Sequence, residues 1–174
     1  ATMTIMRDAV IVDAVRTPIG KRNGSLADVH PVDLSATVLS ALAQRTGFDP
    51  ATIDDVVWGC VSQVGDQSGS VGRLAVLAAD WPQTVPATVV DRRCGSAQQA
   101  VHFAAAGVIS GQYEVAIAGG VESMSRVPMG SARAAGVRVA LVAFGPEGAG
   151  FVRVNLASPK AMIEDACGRL ERAV

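Results

Sequence analysis

The chain is 174 residues long, 49% apolar and only 18% charged, with a formal net charge of -1. Such a length and hydrophobicity support one substantial core, as a single domain with at most a short appendage. Near-neutral charge gives no electrostatic basis for nucleic acid or an anionic membrane as partner. Aromatic residues make up only 4%, and an abundance of Ala, Val and Gly suits close helix–sheet packing in an α/β protein. The three cysteines, Cys60, Cys94 and Cys167, are widely spaced with no Cys-x-x-Cys pairing. Neither a disulfide framework nor a metal site is expected, and a reducing, cytoplasmic setting fits. No apolar run approaches the roughly 20 residues a membrane helix needs, and no secretory signal is visible.

Ala9–Val15 is a short β-branched run ending at Arg16-Thr17-Pro18-Ile19-Gly20, which predicts a buried strand and a turn. Pro31–Thr46 has apolar residues at helical spacing, with Pro31 at the opening and Gly47 at the close, the usual start and stop signals. His30, just before that proline, reads as a capping or surface residue. Ile53–Val61 predicts a strand, Gly72–Ala79 a helix and Ala87–Asp91 another strand. Ser96–Ile109 predicts a long Ala-rich helix with apolar residues on all sides, expected to lie buried between layers. Val115–Ala118 predicts a fourth strand running into Gly119-Gly120. Strands alternating with helices at such short connections imply parallel pairing through right-handed crossovers. The expected fold is therefore α/β, a mixed and mainly parallel sheet.

Beyond Met129 the pattern changes. Residues 130–143 read as a linker with a short strand at Val139–Ala143. Phe151–Leu156 alternates as a strand, and Ser158-Pro159 opens a final helix, a β-α tail over residues 144–174.

Cys94 lies where a strand gives way to the Ser96 helix. A thiol there meets the positive end of the helix, which favours the thiolate, and Arg92 or Arg93 turned inward would favour it further. The small residues Gly95, Ser96 and Ala97 let a carbonyl approach the backbone, whose N–H groups could hold an oxyanion. From these residues alone Cys94 is either a nucleophile or a small core residue, as free cysteines often are.

The segment Val90-Asp91-Arg92-Arg93-Cys94-Gly95-Ser96-Ala97-Gln98-Gln99-Ala100 resembles the nucleophile segment of thiolases, the acetyl-CoA acetyltransferases and 3-ketoacyl-CoA thiolases. Arg16–Gly20, Gly59–Arg73 and Gly119–Ser125 match further blocks of that family in order, so the resemblance runs from about Asp8 to Arg133. It implies acyl transfer between coenzyme A thioesters through a cysteine acyl-enzyme, with Cys94 as nucleophile, Gly95 and Ser96 as oxyanion and backbone support, and a homodimer. In the Gly119-Gly120-Val121-Glu122 block, Glu122 is expected to bond loop backbone beside the site, with Gly119 and Gly120 as structural neighbours. His102, mid-helix among alanines, reads as packed or interfacial, and Arg16 and Arg73 as loop-ordering. The family usually has Asn where Asp91 stands, and a carboxylate there would oppose thiolate formation. The bases that family draws from its second half have no matching motif here, so a truncated or partner-completed active site is expected. The non-catalytic alternative is an interaction module. Phe144–Ala157 resembles the end of pyridoxal-phosphate-dependent aminotransferases and carbon–sulfur lyases, where the arginine matching Arg153 binds a carboxylate. The cofactor's lysine has no counterpart, so no pyridoxal phosphate is expected.

Overall fold

The computed structural model describes residues 7–132. The expected strands at Val139–Ala143 and Phe151–Leu156 and the helix opening at Ser158-Pro159 lie outside them. Three parallel strands form the sheet: β1 (Asp55–Gly59), β2 (Ala87–Val90) and β3 (Ala116–Gly120), in the order β2-β1-β3. Register pairs Trp58 with Val89 on one side and with Gly119 on the other. Three α-helices, α1 (Pro31–Thr46), α2 (Val71–Ala78) and α3 (Ser96–Ser110), sit on its faces. The parallel order and short crossovers agree with the α/β expectation.

Side-chain alternation along β1 divides the layers. Val56 and Trp58 point to the face where α1 and α2 pack, and Gly59 meets the first turn of α3. The core joins Leu39 of α1, Val71, Ala75 and Val76 of α2, and Val56, Trp58 and Ile117 of the sheet. Trp58 is 3% exposed, and its indole Nε1 donates to Ser35 Oγ at 3.2 Å. The Ser35 hydroxyl donates in turn to Pro31 O at 2.8 Å, so this buried polar group is satisfied. Phe48 and Trp81 close the rim edge to face, with centroids 5.6 Å apart.

Helix α1 begins and ends where the sequence predicts. The His30 Nδ1 accepts from Val32 N at 3.2 Å, and Gly47 takes φ 71° as the left-handed C-cap. Asp54 does the same kind of work at the entry to β3. Its carboxylate accepts from Val115 N and Glu114 N, and these bonds, Val115's the larger, hold its pKa below the ordinary value.

One expectation fails. Ala9–Val15 forms no strand: Val10, Ile11 and Val12 are 77%, 80% and 85% exposed. Its β-branched run has the right composition, but among the described residues no strand edge pairs with it, and propensity without a partner makes no ladder. It lines instead a cleft of about 1140 Å³ with α1, α3 and β3. Helix α3 packs on one side. Ala100, Ala104 and Gly107 are buried, whereas Val101 and Phe103 are 40% and 51% exposed. The sheet and the Tyr113 ring cover its packed side, and the Val101 and Phe103 face is open among the described residues.

Glycines set how closely the layers approach. A Cβ on Gly119 would stand 2.5 Å from Cζ3 of Trp58, and one on Gly72 would stand 2.7 Å from its Cβ. Gly119→Ala must therefore displace a buried indole, and we expect a loss of about 1–3 kcal/mol in urea unfolding, read as a lower midpoint.

Candidate functional site

The C-terminal ends of the three strands converge on the start of α3. β2 ends at Val90, and residues 91–95 turn the chain into α3. Two bonds close the turn: Gly95 N donates to Arg92 O and Ser96 N to Arg93 O, each at 3.0 Å. The Ser96 hydroxyl braces it from inside, accepting from Arg92 N at 2.9 Å and donating to Arg93 O at 2.6 Å. Arg93 has φ 51°, the left-handed region that non-glycine residues rarely adopt. The Asp91 carboxylate supports it, taking Arg93 N at 2.8 Å on Oδ1 and the Arg93 guanidinium at 2.9 Å on Oδ2.

Cys94 follows, exposed and free, at the tip of this strand–turn–helix. Neither neighbouring guanidinium turns inward, the condition under which it would assist the thiol: Arg93 is held by Asp91 and Arg92 by the Gln99 side chain. The N–H groups of Gly95 and Ser96 are spent on closing the turn. Those of Cys94, Ala97 and Gln98 meet no acceptor among the described residues.

What fixes the turn against the sheet is bare backbone. A Cβ on Gly59 would lie 2.4 Å from Ala97 N, and one on Gly120 would lie 2.6 Å from Gly59 O and 3.1 Å from the Ala97 Cβ. Glycine at both strand ends is what lets the head of α3 sit so close.

Glu122 lies two residues after Gly120, the last residue of β3, and is half-buried. Its Oε2 accepts from Val61 N at 2.8 Å, and its Oε1 from Ser62 N at 3.3 Å and Gln67 Nε2 at 2.9 Å. Gln67, fully buried, also donates to Ser62 O and accepts from Ser123 N at 2.6 Å. The carboxylate is thus committed to loop backbone. Sequence reasoning did not single out Gln67, whose signal is a lone amide in a Gly/Ser loop.

Cys60 lies beside this network, 1% exposed. Burial, then the Glu122 carboxylate and more weakly that of Asp91, push its thiol up to about 12, against a bond from the Ser62 backbone. Arg73 donates to Val85 O and, at 2.8 Å, to Gln83 O, Arg16 to Thr17 O at 3.0 Å, and His102 stands exposed on α3. No group of three or more metal-ligating side chains occurs among the described residues, and no helix among them is long and apolar enough to cross a membrane.

The model of the thiolase N-terminal domain matches residues 9–145. The chain belongs to the thiolase family. It is 50% identical over 132 residues to the steroid 3-ketoacyl-CoA thiolase FadA6 of Mycobacterium tuberculosis (strain ATCC 25618 / H37Rv), covering 76% of this chain and 32% of that protein. It is 47% identical over 124 residues to the beta-ketoadipyl-CoA thiolase of Acinetobacter baylyi (strain ATCC 33305 / BD413 / ADP1), covering 71% and 31%. The crystal structure of the Bacillus anthracis acetyl-CoA acetyltransferase superposes with a TM-score of 0.65 at 42% identity, over 69% of this chain and 30% of that one. The chain spans about a third of the length of the curated relatives it matches.

Two outcomes are expected. Glu122→Ala strands the N–H groups of Val61 and Ser62 and the Gln67 amide, and should cost about 3 kcal/mol or more in chemical denaturation; Glu122→Gln, which keeps an acceptor oxygen, should cost less. Iodoacetamide at mildly alkaline pH should label Cys94 in the native protein and spare Cys60, which labels only in denaturant, as peptide mass mapping would show.

Proposed function

We propose that this chain carries the nucleophile of a thiolase-type acyl-CoA acyltransferase, with Cys94 accepting the acyl group from a coenzyme A thioester. The observation that carries this reading is the exposed Cys94 thiol at the tip of a strand–turn–helix, behind a residue of positive φ. Membership of the thiolase family and the acyl-CoA names of the relatives supply the substrate class.

In the step proposed, the Cys94 thiol gives its proton to a base and its sulfur attacks the thioester carbonyl carbon. The carbonyl oxygen takes the negative charge, and the unoccupied N–H of Cys94 at the helix head is available to hold it, with Gly95 and Ser96 shaping the backbone around it. When the tetrahedral adduct collapses, the carbon–sulfur bond to coenzyme A breaks. Coenzyme A leaves as its thiolate, which takes up a proton, and the acyl group stays on Cys94. No side chain among the described residues hydrogen-bonds the Cys94 sulfur, so the proposed base lies outside them, and a partner chain is one source of it. Glu122, Gly119 and Gly120 support the site rather than take part in proton transfer. The step requires no pyridoxal phosphate. A second copy of the chain is the proposed partner, since Val101 and Phe103 leave an apolar helix face open. The free thiols of Cys60 and Cys94 fit a cytoplasmic setting.

Incubation with acetyl-CoA followed by mass spectrometry tests the reading. An acetyl adduct confined to the Cys94 peptide, abolished by Cys94→Ala, is the expected result. A folded chain that gains no adduct, alone or with a histidine-bearing thiolase C-terminal half added, would favour the interaction module instead.

A further inference from the structure

Asp91 holds the residue in front of Cys94 through two different contacts. Its Oδ1 takes the Arg93 N–H at 2.8 Å, which sustains φ 51°, and its Oδ2 meets the Arg93 guanidinium at 2.9 Å. An asparagine would supply the first contact but has no charge for the second. Asp91 and Arg93 therefore belong together: the carboxylate stands beside the cation that offsets it.

The other charged groups near the turn are occupied. The Arg92 guanidinium binds Gln99, the Glu122 carboxylate holds Val61, Ser62 and Gln67, and His102 stands further along α3 with its side chain in solvent. Asp91 also contributes to the raised Cys60 thiol, so its charge acts on a thiol at this end of the sheet. We propose that Asp91 and Arg93 are a charge-compensated positioning pair for Cys94: the carboxylate fixes the left-handed turn, and the guanidinium cancels the negative charge the turn would otherwise set near a thiolate. The pair rests on the reading of Cys94 as nucleophile.

Iodoacetamide alkylation of Cys94 in the full chain, followed by peptide mass spectrometry from about pH 6 to 10, tests the pair through a rate profile. Arg93→Gln unmasks the carboxylate, so alkylation near neutral pH should slow about three- to tenfold and the profile should move to higher pH. Asp91→Asn added to Arg93→Gln should bring the rate back to within about twofold of the wild type, and about 1 M salt should shrink the Arg93→Gln effect. Asp91→Asn alone keeps the acceptor for Arg93 N and should be no slower than the wild type. Arg93→Lys keeps the charge and should keep the profile, which covers the case of an Arg93→Gln chain that does not fold.

A wild-type profile for folded Arg93→Gln, a double variant that stays slow, or a shifted profile for Arg93→Lys would each overturn the pair. Alkylation reads the thiol independently of acyl transfer. An intact rescue without an acetyl adduct would count against acyl transfer alone, and an adduct without rescue against the pair alone.

Discussion

The contact of α3 with the bare backbone of two strand ends determines most of what lies around Cys94. At Gly59 and Gly120 the helix head meets strand backbone with no room for a Cβ. Position is set there by hard repulsion, which rises over tenths of an ångström, rather than by flexible side chains. The turn that carries Cys94 is anchored on one side by β2 and on the other by this contact. Its own freedom is removed by Ser96, which ties Arg92 N to Arg93 O across the turn. A thiol can therefore be exposed and still well placed, the combination a reacting group needs.

The same end of the sheet separates two cysteines that a sequence cannot rank by type alone. Cys60 continues β1 into the loop held by Glu122, and burial keeps its thiol protonated across the physiological range. Cys94 stands a strand away on a turn that faces solvent. A single carboxylate, Glu122, organises the loop beside the first of them through three N–H donors, and Gln67 carries that order on to Ser123. Charge-assisted bonds to backbone are strong where water is scarce. Using the carboxylate this way leaves it little capacity for proton transfer, so its place beside the site is best understood as architecture.

Much of this was legible in the sequence where the signal was local. Pro31 and Gly47 bracket α1, Gly111 ends α3, and β-branched runs mark all three strands to within two residues at either end. Asp54, Gln67 and the Trp58–Ser35 bond were not legible, because their partners lie tens of residues away and no periodic pattern encodes them. Ala9–Val15 shows the opposite failure. Its composition is that of a buried strand, yet strand formation is a property of a pair, and a run of valines carries no information on whether an edge is waiting.

That unpaired segment and the open face of α3 bear on the same question. Val10, Ile11 and Val12 expose apolar side chains across a cleft from β3, and Val101 and Phe103 do so on α3. Among the described residues, an unpaired β-branched segment and a helix covered on one side both leave apolar area in water, at roughly 25 cal/mol for each Å² left exposed. Covering either surface would stabilise the fold without changing the contacts already made. Gly59, Gly120 and Ser96 hold the Cys94 turn from within the described residues, so its geometry does not depend on what covers those surfaces. On the proposed reading of Cys94 as a nucleophile, its base lies beyond the described residues. On that reading, placement and activation of the thiol are separable: the first is built into three strands and one helix, and the second is not.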